Sequence, residues 1–218
     1  MPLLRNGPVQ AARRRSLATV SLAQDRVFLN IPYDDRFQKL YIAYIVGVTQ
    51  LGLQPAVTLA IPGGDARLDR IFDLIRSCRF SIHDLSRVQL SRASPATPRF
   101  NMPFELGLAV AWSKLHPLRH TYIAFESVNR RAQKSLSDMA GSDFNIHDGT
   151  PQGIMRELCS AFVRQNKRPE VPAMMRQYKA VQAAIPDIMK QTGAKSIYEA
   201  RVFTDLVLAA STPTDATP

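Results

Sequence analysis

The segment Phe100-Asn-Met-Pro-Phe-Glu-Leu-Gly-Leu-Ala109 contains the side chain best suited to chemistry, Glu105. Pro103 favours the first positions of a helix, so we expect Glu105 in the first helical turn. There the positive end of the helix dipole would keep the carboxylate ionised at neutral pH. An ionised carboxylate at a cleft is a candidate nucleophile or electrostatic stabiliser. Acids in first turns also stabilise helices, so the local sequence leaves both roles open.

Further polar residues follow short apolar runs and are candidates for the same site. Asp84, in His83-Asp-Leu-Ser86, could bind a ribose hydroxyl, activate a water or cap the next turn. Asp34 and Asp35 follow another run, and one could contact a ligand while the other caps a helix. The predicted catalytic residues are Glu105 and Asp84, and the predicted substrate-binding residues are Asn30, Pro32, Tyr33, Asp34, Ser86, Arg99, Asn101 and Met102.

Several of these positions have an equally simple structural interpretation. Tyr33 could stack on a base or pack in a turn, and Asn101 could bind a ribose hydroxyl or cap the helix. His83 is interpreted as structural, because it should alternate away from Asp84 along a strand. The turn Pro62-Gly-Gly-Asp65 could approach a phosphate or be an ordinary turn.

The elements that must position these side chains alternate between strands and helices. Short apolar runs predict strands, and 3.6-residue periodicity predicts helices between them. This order is typical of a flavodoxin-like or Rossmann-like α/β fold, with a parallel sheet of about five strands and helices on both faces. The predicted strands are 26–31, 55–60, 80–84, 121–125 and 144–146, and the predicted helices of this unit are 37–48, 68–75, 103–114 and 151–164.

In such sheets, ligands bind outside the carboxyl ends of the strands at the topological switch point. Residues 30–35 and 84–86 follow two predicted strands, and residues 101–105 begin a predicted helix. We therefore expect these three segments to converge on one crevice.

The rest of the chain divides by composition. Residues 1–24 contain several arginines and no acid, which predicts a flexible basic arm, although a presequence would share this composition. Residues 25–168 form the predicted α/β domain and residues 169–210 a helical extension for packing or homo-oligomerisation. Residues 211–218 form a polar tail predicted to be disordered.

Composition excludes several classes of protein. No apolar run approaches the roughly 18 residues of a membrane span. The two cysteines and four histidines have no metal-ligand spacing, so we expect no metal, no disulfide scaffold and a cytoplasmic location. The net charge of +10 is compatible with anionic small molecules and, as a minor hypothesis, with nucleic acid.

The segment Phe104-Glu-Leu-Gly-Leu-Ala109, with the run Tyr122-Ile-Ala124 after it, resembles the Glu-Leu-Gly-x-Ala segment of the nucleoside 2-deoxyribosyltransferases. Val27-Phe-Leu-Asn-Ile-Pro32 is similar to their first strand and its binding loop, so the resemblance covers about residues 26–125. It implies that Glu105 attacks the anomeric carbon of a sugar. Related Toll/interleukin-1-receptor-like (TIR) domains, some of which hydrolyse nicotinamide dinucleotides, share this architecture and a catalytic glutamate.

The chain departs from the deoxyribosyltransferase pattern in ways that affect the substrate. Arg99 stands where that family has an aspartate, and Cys78 or Arg79 replaces another. Arginines at positions 76, 79, 87 and 99 favour a phosphorylated ligand. A cationic nicotinamide leaves without protonation, so loss of the second acid is compatible with cleavage of NAD.

The sequence thus predicts an N-glycosidase-type hydrolase that acts on a nucleotide, NAD being preferred, without a cofactor. The resemblance also implies a role as an antiviral defence effector. The alternatives are an inactive, nucleotide-sensing TIR-like scaffold that acts by assembly, a nucleoside deoxyribosyltransferase, and a nucleic-acid-associated regulator that uses the basic arm.

Overall fold

The computed structural model describes residues 23–60, 67–88, 90, 94–139, 141–163, 165 and 167–213. Most of the predicted basic arm, the turn at residues 62–65 and the end of the tail lie outside these residues. The strands are β1 (Ala23–Asn30), β2 (Gln54–Ala56), β3 (Cys78–Asp84), β4 (Thr121–Glu126) and β5 (Phe144–Ile146). The helices are α1 (Gln38–Gln50), α2 (Arg67–Ser77), α3 (Asn101–Leu115), α4 (Arg131–Ser135), α5 (Pro151–Ala161), α6 (Val171–Thr192) and α7 (Ala200–Ser211).

The five strands form one parallel sheet with the order β2-β1-β3-β4-β5. This order is that of a flavodoxin-like fold, which confirms the predicted fold class. The central strands read as continuous apolar runs because helices cover both of their faces. One predicted strand was too long, since β2 ends at Ala56 and a 3-10 turn occupies Thr58–Ala60.

One face of the sheet is covered by two layers of helix. Helix α1 lies against the sheet beside α5, and the C-terminal helices α6 and α7 pack on α1. Residues 40–48 of α1 are therefore all buried, as expected for a helix that is apolar around its circumference. Met174 of α6 and Leu206 of α7 belong to the same apolar cluster as Leu29 of β1. The predicted helical extension thus shares its core with the sheet.

Helices α2 and α3 cover the opposite face. Phe28 of β1 packs there with Ile71 and Ile75 of α2 and with Ala109 of α3. The start of α3 and α4 form a smaller apolar cluster beside the end of β3. Among the helices of the described residues, none combines the length and apolarity needed to cross a membrane.

Candidate functional site

The switch point of the sheet lies between β1 and β3. The chain leaves β1 toward β2 on one side and leaves β3 toward β4 on the other, so the connections diverge and open a crevice at the carboxyl ends. Asn30, the last residue of β1, is paired in register with His83 of β3 at this point. Side chains from these two positions on one face of the sheet therefore border the crevice.

Helix α3 brings Glu105 to this crevice, in a different position from the one predicted. Phe100 has helical dihedral angles (φ −71°, ψ −20°) and its carbonyl accepts a hydrogen bond from the Phe104 amide at 3.0 Å. The helix therefore begins at Asn101, and Glu105 lies in its second turn. The prediction that Glu105 occupies the first turn was wrong, and the helix dipole is not what governs its ionisation.

Burial instead controls the carboxyl group of Glu105, which is only 3% exposed. Burial raises its pKa above the ordinary value, while a hydrogen bond from the Asn30 side chain and the charge of Arg67 oppose this. The Arg67 guanidinium lies 3.9 Å from Oε1 and is itself half exposed. Oε2 is buried and has no hydrogen-bond partner among the described residues. Glu105 is therefore a poorly solvated carboxylate with one uncommitted oxygen.

Tyr33 is partly buried, and its phenol interacts electrostatically with this carboxylate. Burial raises the pKa of Tyr33 to about 12, with Thr58 and Arg67 lowering it and Glu105 raising it. The phenol therefore stays protonated near neutral pH. Its ring packs against Tyr41 and Tyr198 with centroid separations of 5.9 Å, so the structure shows it in the packed role rather than free to stack on a base.

Asp34 forms ion pairs with two arginines at the edge of the crevice. Its Oδ2 accepts from Arg99 at 3.0 Å and from Arg87 at 3.4 Å, so two guanidinium groups share one carboxylate. Its backbone carbonyl accepts a hydrogen bond of 2.6 Å from the hydroxyl of Tyr198, which lies just before α7. The C-terminal helices thus hold the loop that carries Tyr33 and Asp34.

Asp84, the second predicted catalytic acid, lies on the opposite face of the sheet. It is fully buried, and its carboxylate accepts hydrogen bonds from the Tyr44 hydroxyl at 2.7 Å and from the Ser86 amide and hydroxyl. His147 Nε2 lies 3.2 Å from Oδ2. Burial opposes ionisation, but the contacts of His147 and Ser86 outweigh it and hold the pKa of Asp84 below its ordinary value. The structure does not bring Asp84 and Ser86 to Glu105.

The remaining predicted residues have different environments. Pro32 is buried beside the crevice, and Asn101 is exposed at the start of α3. Met102 packs in the apolar cluster with Leu85 and Leu106. Among these three residues, only Asn101 offers a polar side chain to a ligand.

Two of the arginines expected to bind phosphate lie away from the crevice. Arg76 forms an ion pair with Asp73 in the last turns of α2. Arg79 is the second residue of β3 and donates to the Leu118 carbonyl at 2.7 Å. Both lie near the amino end of β3, so the structure does not place them beside a ligand at the carboxyl end. Arg87 and Arg99 are at the correct end.

An apolar cavity of about 350 Å³ adjoins the first turn of α3. Its walls come from the loop after β3, from α3 and from α4, and Arg99 is its cationic member. The lining residues are Leu85, Val88, Pro98, Arg99, Phe100, Pro103, Ala132, Ser135 and Leu136. A cavity of this size can hold a small planar ligand or part of a larger one.

Sequence reasoning missed Arg67 and gave His83 no part in the site. Arg67 begins the helix that follows β2, and helices after parallel strands begin at the carboxyl edge of the sheet, so its position was a usable signal. His83 contacts Asn30 because the two strands are in register, which the sequence did not reveal.

Among the described residues, no group of three histidine, cysteine or acidic side chains is placed to hold a metal ion. A scan against models of known protein families gives no match to this chain, and a search of curated proteins gives none either. The geometry of the crevice is therefore the basis for a functional proposal.

Proposed function

We propose that the protein hydrolyses the N-glycosidic bond of a nucleotide, with NAD as the preferred substrate and Glu105 facing the anomeric carbon. The observation that carries this proposal is the Glu105 carboxylate at the switch point, 3% exposed and with Oε2 unpartnered among the described residues. A buried carboxylate oxygen without a partner does not stabilise the folded protein. In an enzyme, however, such an oxygen can stabilise a cation that forms during the reaction.

Cleavage of an N-glycosidic bond passes through a state with positive charge on the sugar. The bond between the anomeric carbon and the nicotinamide nitrogen breaks, and its electron pair neutralises the pyridinium ring. Oε2 of Glu105 stabilises the resulting cation or bonds to it covalently, and the weak solvation of this oxygen strengthens the interaction. Water then supplies the new oxygen of the sugar and releases one proton to the solvent.

The surroundings of Glu105 favour a cationic leaving group over a neutral base. A neutral purine needs an acid to protonate it, and the described partners of Glu105 are Asn30 and Arg67. Asp84 lies on the other face with its oxygens occupied. Nicotinamide leaves as a neutral molecule and needs no acid to protonate it. The site is therefore better suited to the cleavage of NAD than to the transfer of a sugar from a nucleoside to another base.

The rest of a dinucleotide has matching features at the same edge of the sheet. Arg67 is half exposed beside Glu105, and Arg99 connects Asp34 with the apolar cavity. Guanidinium groups bind phosphates through paired hydrogen bonds. We therefore assign the diphosphate to these arginines and the second base to the cavity.

We also propose a cytoplasmic location and a homo-oligomeric state. Cys78 and Cys159 are free thiols, which is consistent with a reducing cytoplasm. The proposed homo-oligomer forms through the C-terminal helices, where Leu208 of α7 is 66% exposed.

Release of nicotinamide from NAD by the purified full chain tests the proposal. Glu105→Gln should lower the rate at least about a hundredfold, because it removes the charge that stabilises the cation. The matched control Glu170→Gln makes the same change at an exposed acid before α6 and should keep the wild-type rate. An unchanged rate in Glu105→Gln would refute the assignment. A wild-type chain that binds NAD without cleaving it would support the sensor alternative instead.

The cavity assignment has its own test. Ser135→Trp places a large side chain at the cavity wall, whereas Lys134→Trp introduces the same side chain at a neighbouring exposed position outside the lining. Ser135→Trp should lower kcat/KM for NAD about tenfold or more, as expected when a binding pocket is blocked. The same variant should leave kcat/KM for nicotinamide mononucleotide unchanged, since that substrate lacks the second base. Equal losses for both substrates would contradict the assignment.

A further inference from the structure

A buried chain of hydrogen bonds leads away from Asn30 on the Glu105 side of the sheet. His83 is fully buried, and its Nδ1 lies 3.0 Å from Nδ2 of Asn30. Its other ring nitrogen, Nε2, lies 2.9 Å from the hydroxyl of Ser81. Because both nitrogens have partners, His83 connects Asn30 to the interior of β3.

The chain of hydrogen bonds ends at a backbone carbonyl, and this carbonyl fixes the direction of every hydrogen bond in it. The Ser81 hydroxyl lies 2.9 Å from Nε2 of His120, and His120 Nδ1 lies 2.9 Å from the carbonyl oxygen of Cys78. A carbonyl only accepts, so His120 carries its proton on Nδ1 and accepts from Ser81 at Nε2. Ser81 then accepts from Nε2 of His83, and Nδ1 of His83 accepts from the Asn30 amide.

Both imidazoles are neutral, so this pattern of protons does not change near neutral pH. Burial, together with the smaller effect of nearby His120, lowers the pKa of His83 to about 3. Burial also lowers the pKa of His120, against the opposing effect of its bond to the Cys78 carbonyl. Nδ1 of His83 therefore remains an acceptor.

We infer that His83 is a positioning residue of the Glu105 site, acting through the side-chain amide of Asn30. An acceptor at Nδ1 requires the NH₂ group of the amide to face His83, which leaves the second N–H of that group for the Glu105 carboxylate. A flipped amide would place its oxygen against both an acceptor nitrogen and a carboxylate. His83 thus selects the one amide orientation that stabilises ionised Glu105.

The other groups that face Glu105 cannot replace this donor. Arg67 approaches from α2, but its guanidinium is half exposed and at 3.9 Å, so solvent and salt weaken its effect. Tyr33 approaches from the loop after β1, and Glu105 raises the pKa of its phenol, but Tyr33 is not among the groups that lower the pKa of Glu105. Asn30 is therefore the buried side chain whose hydrogen bonding lowers the pKa of Glu105.

Two substitutions at His83 separate positioning from simple packing. In His83→Asn the side-chain oxygen takes the place of Nδ1 and accepts from Asn30, while the bond to Ser81 is lost. In His83→Gln the side-chain amide reaches Ser81 and the acceptor toward Asn30 is displaced. His116→Gln, at the end of α3, is the control, because His116 lies outside this chain of hydrogen bonds. Thermal unfolding establishes that each variant is folded.

The first measurement is the pKa of Glu105, followed through its ¹³C-labelled carboxyl signal and assigned with Glu105→Gln. His83→Gln should raise this pKa by about one unit, the effect of losing one hydrogen bond to a charged group. His83→Asn should restore most of the wild-type pKa, and His116→Gln should have no effect. Equal shifts in the two His83 variants, or no shift in either, would overturn the inference.

The second measurement is turnover of NAD, and here the inference rests on the proposed function. His83→Gln should lower kcat with little change in KM and move the acidic limb of the pH profile upward, while His83→Asn recovers kcat. If the wild-type chain releases no nicotinamide but the pKa shifts appear, the proposed function fails and the positioning role stands. If turnover occurs and the two variants behave alike, the function stands and the inference fails.

Discussion

Replacing Glu105 by glutamine should change the pH dependence of stability as well as turnover. The pKa of Glu105 is raised in the folded state above its ordinary value of 4.5. Between these two values the folded chain binds more protons than the unfolded chain, so wild-type stability falls as pH rises through this window. Glutamine does not titrate. The free energy of unfolding of Glu105→Gln should therefore rise relative to wild type between pH 4 and pH 8.

The structure sets the size of this change. One buried carboxylate oxygen lacks a partner among the described residues, and an unpartnered buried acceptor costs about 1 to 3 kcal/mol. Asn30 and the half-exposed Arg67 offset part of that cost. We expect a relative gain of about 1 kcal/mol, which is about 3 °C in Tm for a chain of this size.

Urea unfolding of both chains at several pH values measures this difference directly. Asp84→Asn provides the contrast, because Asp84 is fully buried and its pKa is held below the ordinary value of 3.8. Its stabilising contribution is present above pH 3.8 and is lost only as pH falls through the lower folded value. Asp84→Asn should lower the free energy of unfolding by about 3 kcal/mol or more, and this loss should be the same at pH 4 and at pH 8. A constant loss of stability in Glu105→Gln, equal to that in Asp84→Asn, would show that burial does not raise the pKa of Glu105.

Two predictions concern how the fold supports the site. Tyr198→Phe removes the 2.6 Å hydrogen bond to the Asp34 carbonyl, so it should lower the free energy of urea unfolding by about 1 kcal/mol. It should also raise KM more than it lowers kcat. An unchanged KM would show that the C-terminal helices do not support substrate binding. Gly153→Ala should lower Tm by several degrees, because a Cβ there would lie 1.9 Å from the His147 carbonyl oxygen. The control Gly107→Ala has no atom within 4 Å of the new Cβ and should raise stability by about 0.5 to 1 kcal/mol through helix propensity. Equal effects at the two glycines would contradict this account.

The fold could be predicted from the sequence because local patterns encode it. Buried parallel strands read as apolar runs, amphipathic helices show a 3.6-residue period, and their alternation leaves few topologies. The error at residues 58–60 has the same origin. An apolar run shows that a segment is buried, but it does not show whether that segment pairs with a neighbouring strand.

The site could be predicted only to the level of which segments meet. Asn30 and Glu105 were expected together because both lie at the carboxyl edge of the sheet, and in the structure the Asn30 side chain lowers the pKa of Glu105. Asp84 lies at the same edge, yet its side chain points to the other face. A strand covered on both faces has no polar alternation, so the sequence does not say whether His83 or Asp84 faces α3.

The sequence by itself determined the order of the elements, the parallel sheet and the presence of Glu105 near its switch point. These follow from composition and periodicity, which are local properties of the chain. Only the tertiary structure decided which groups surround Glu105: Asn30, which His83 contacts from the paired strand, Arg67 from α2, and Tyr33 held by Tyr198 from far along the chain. Such partners depend on strand register, on the face each side chain occupies and on helix packing, and no local pattern encodes these.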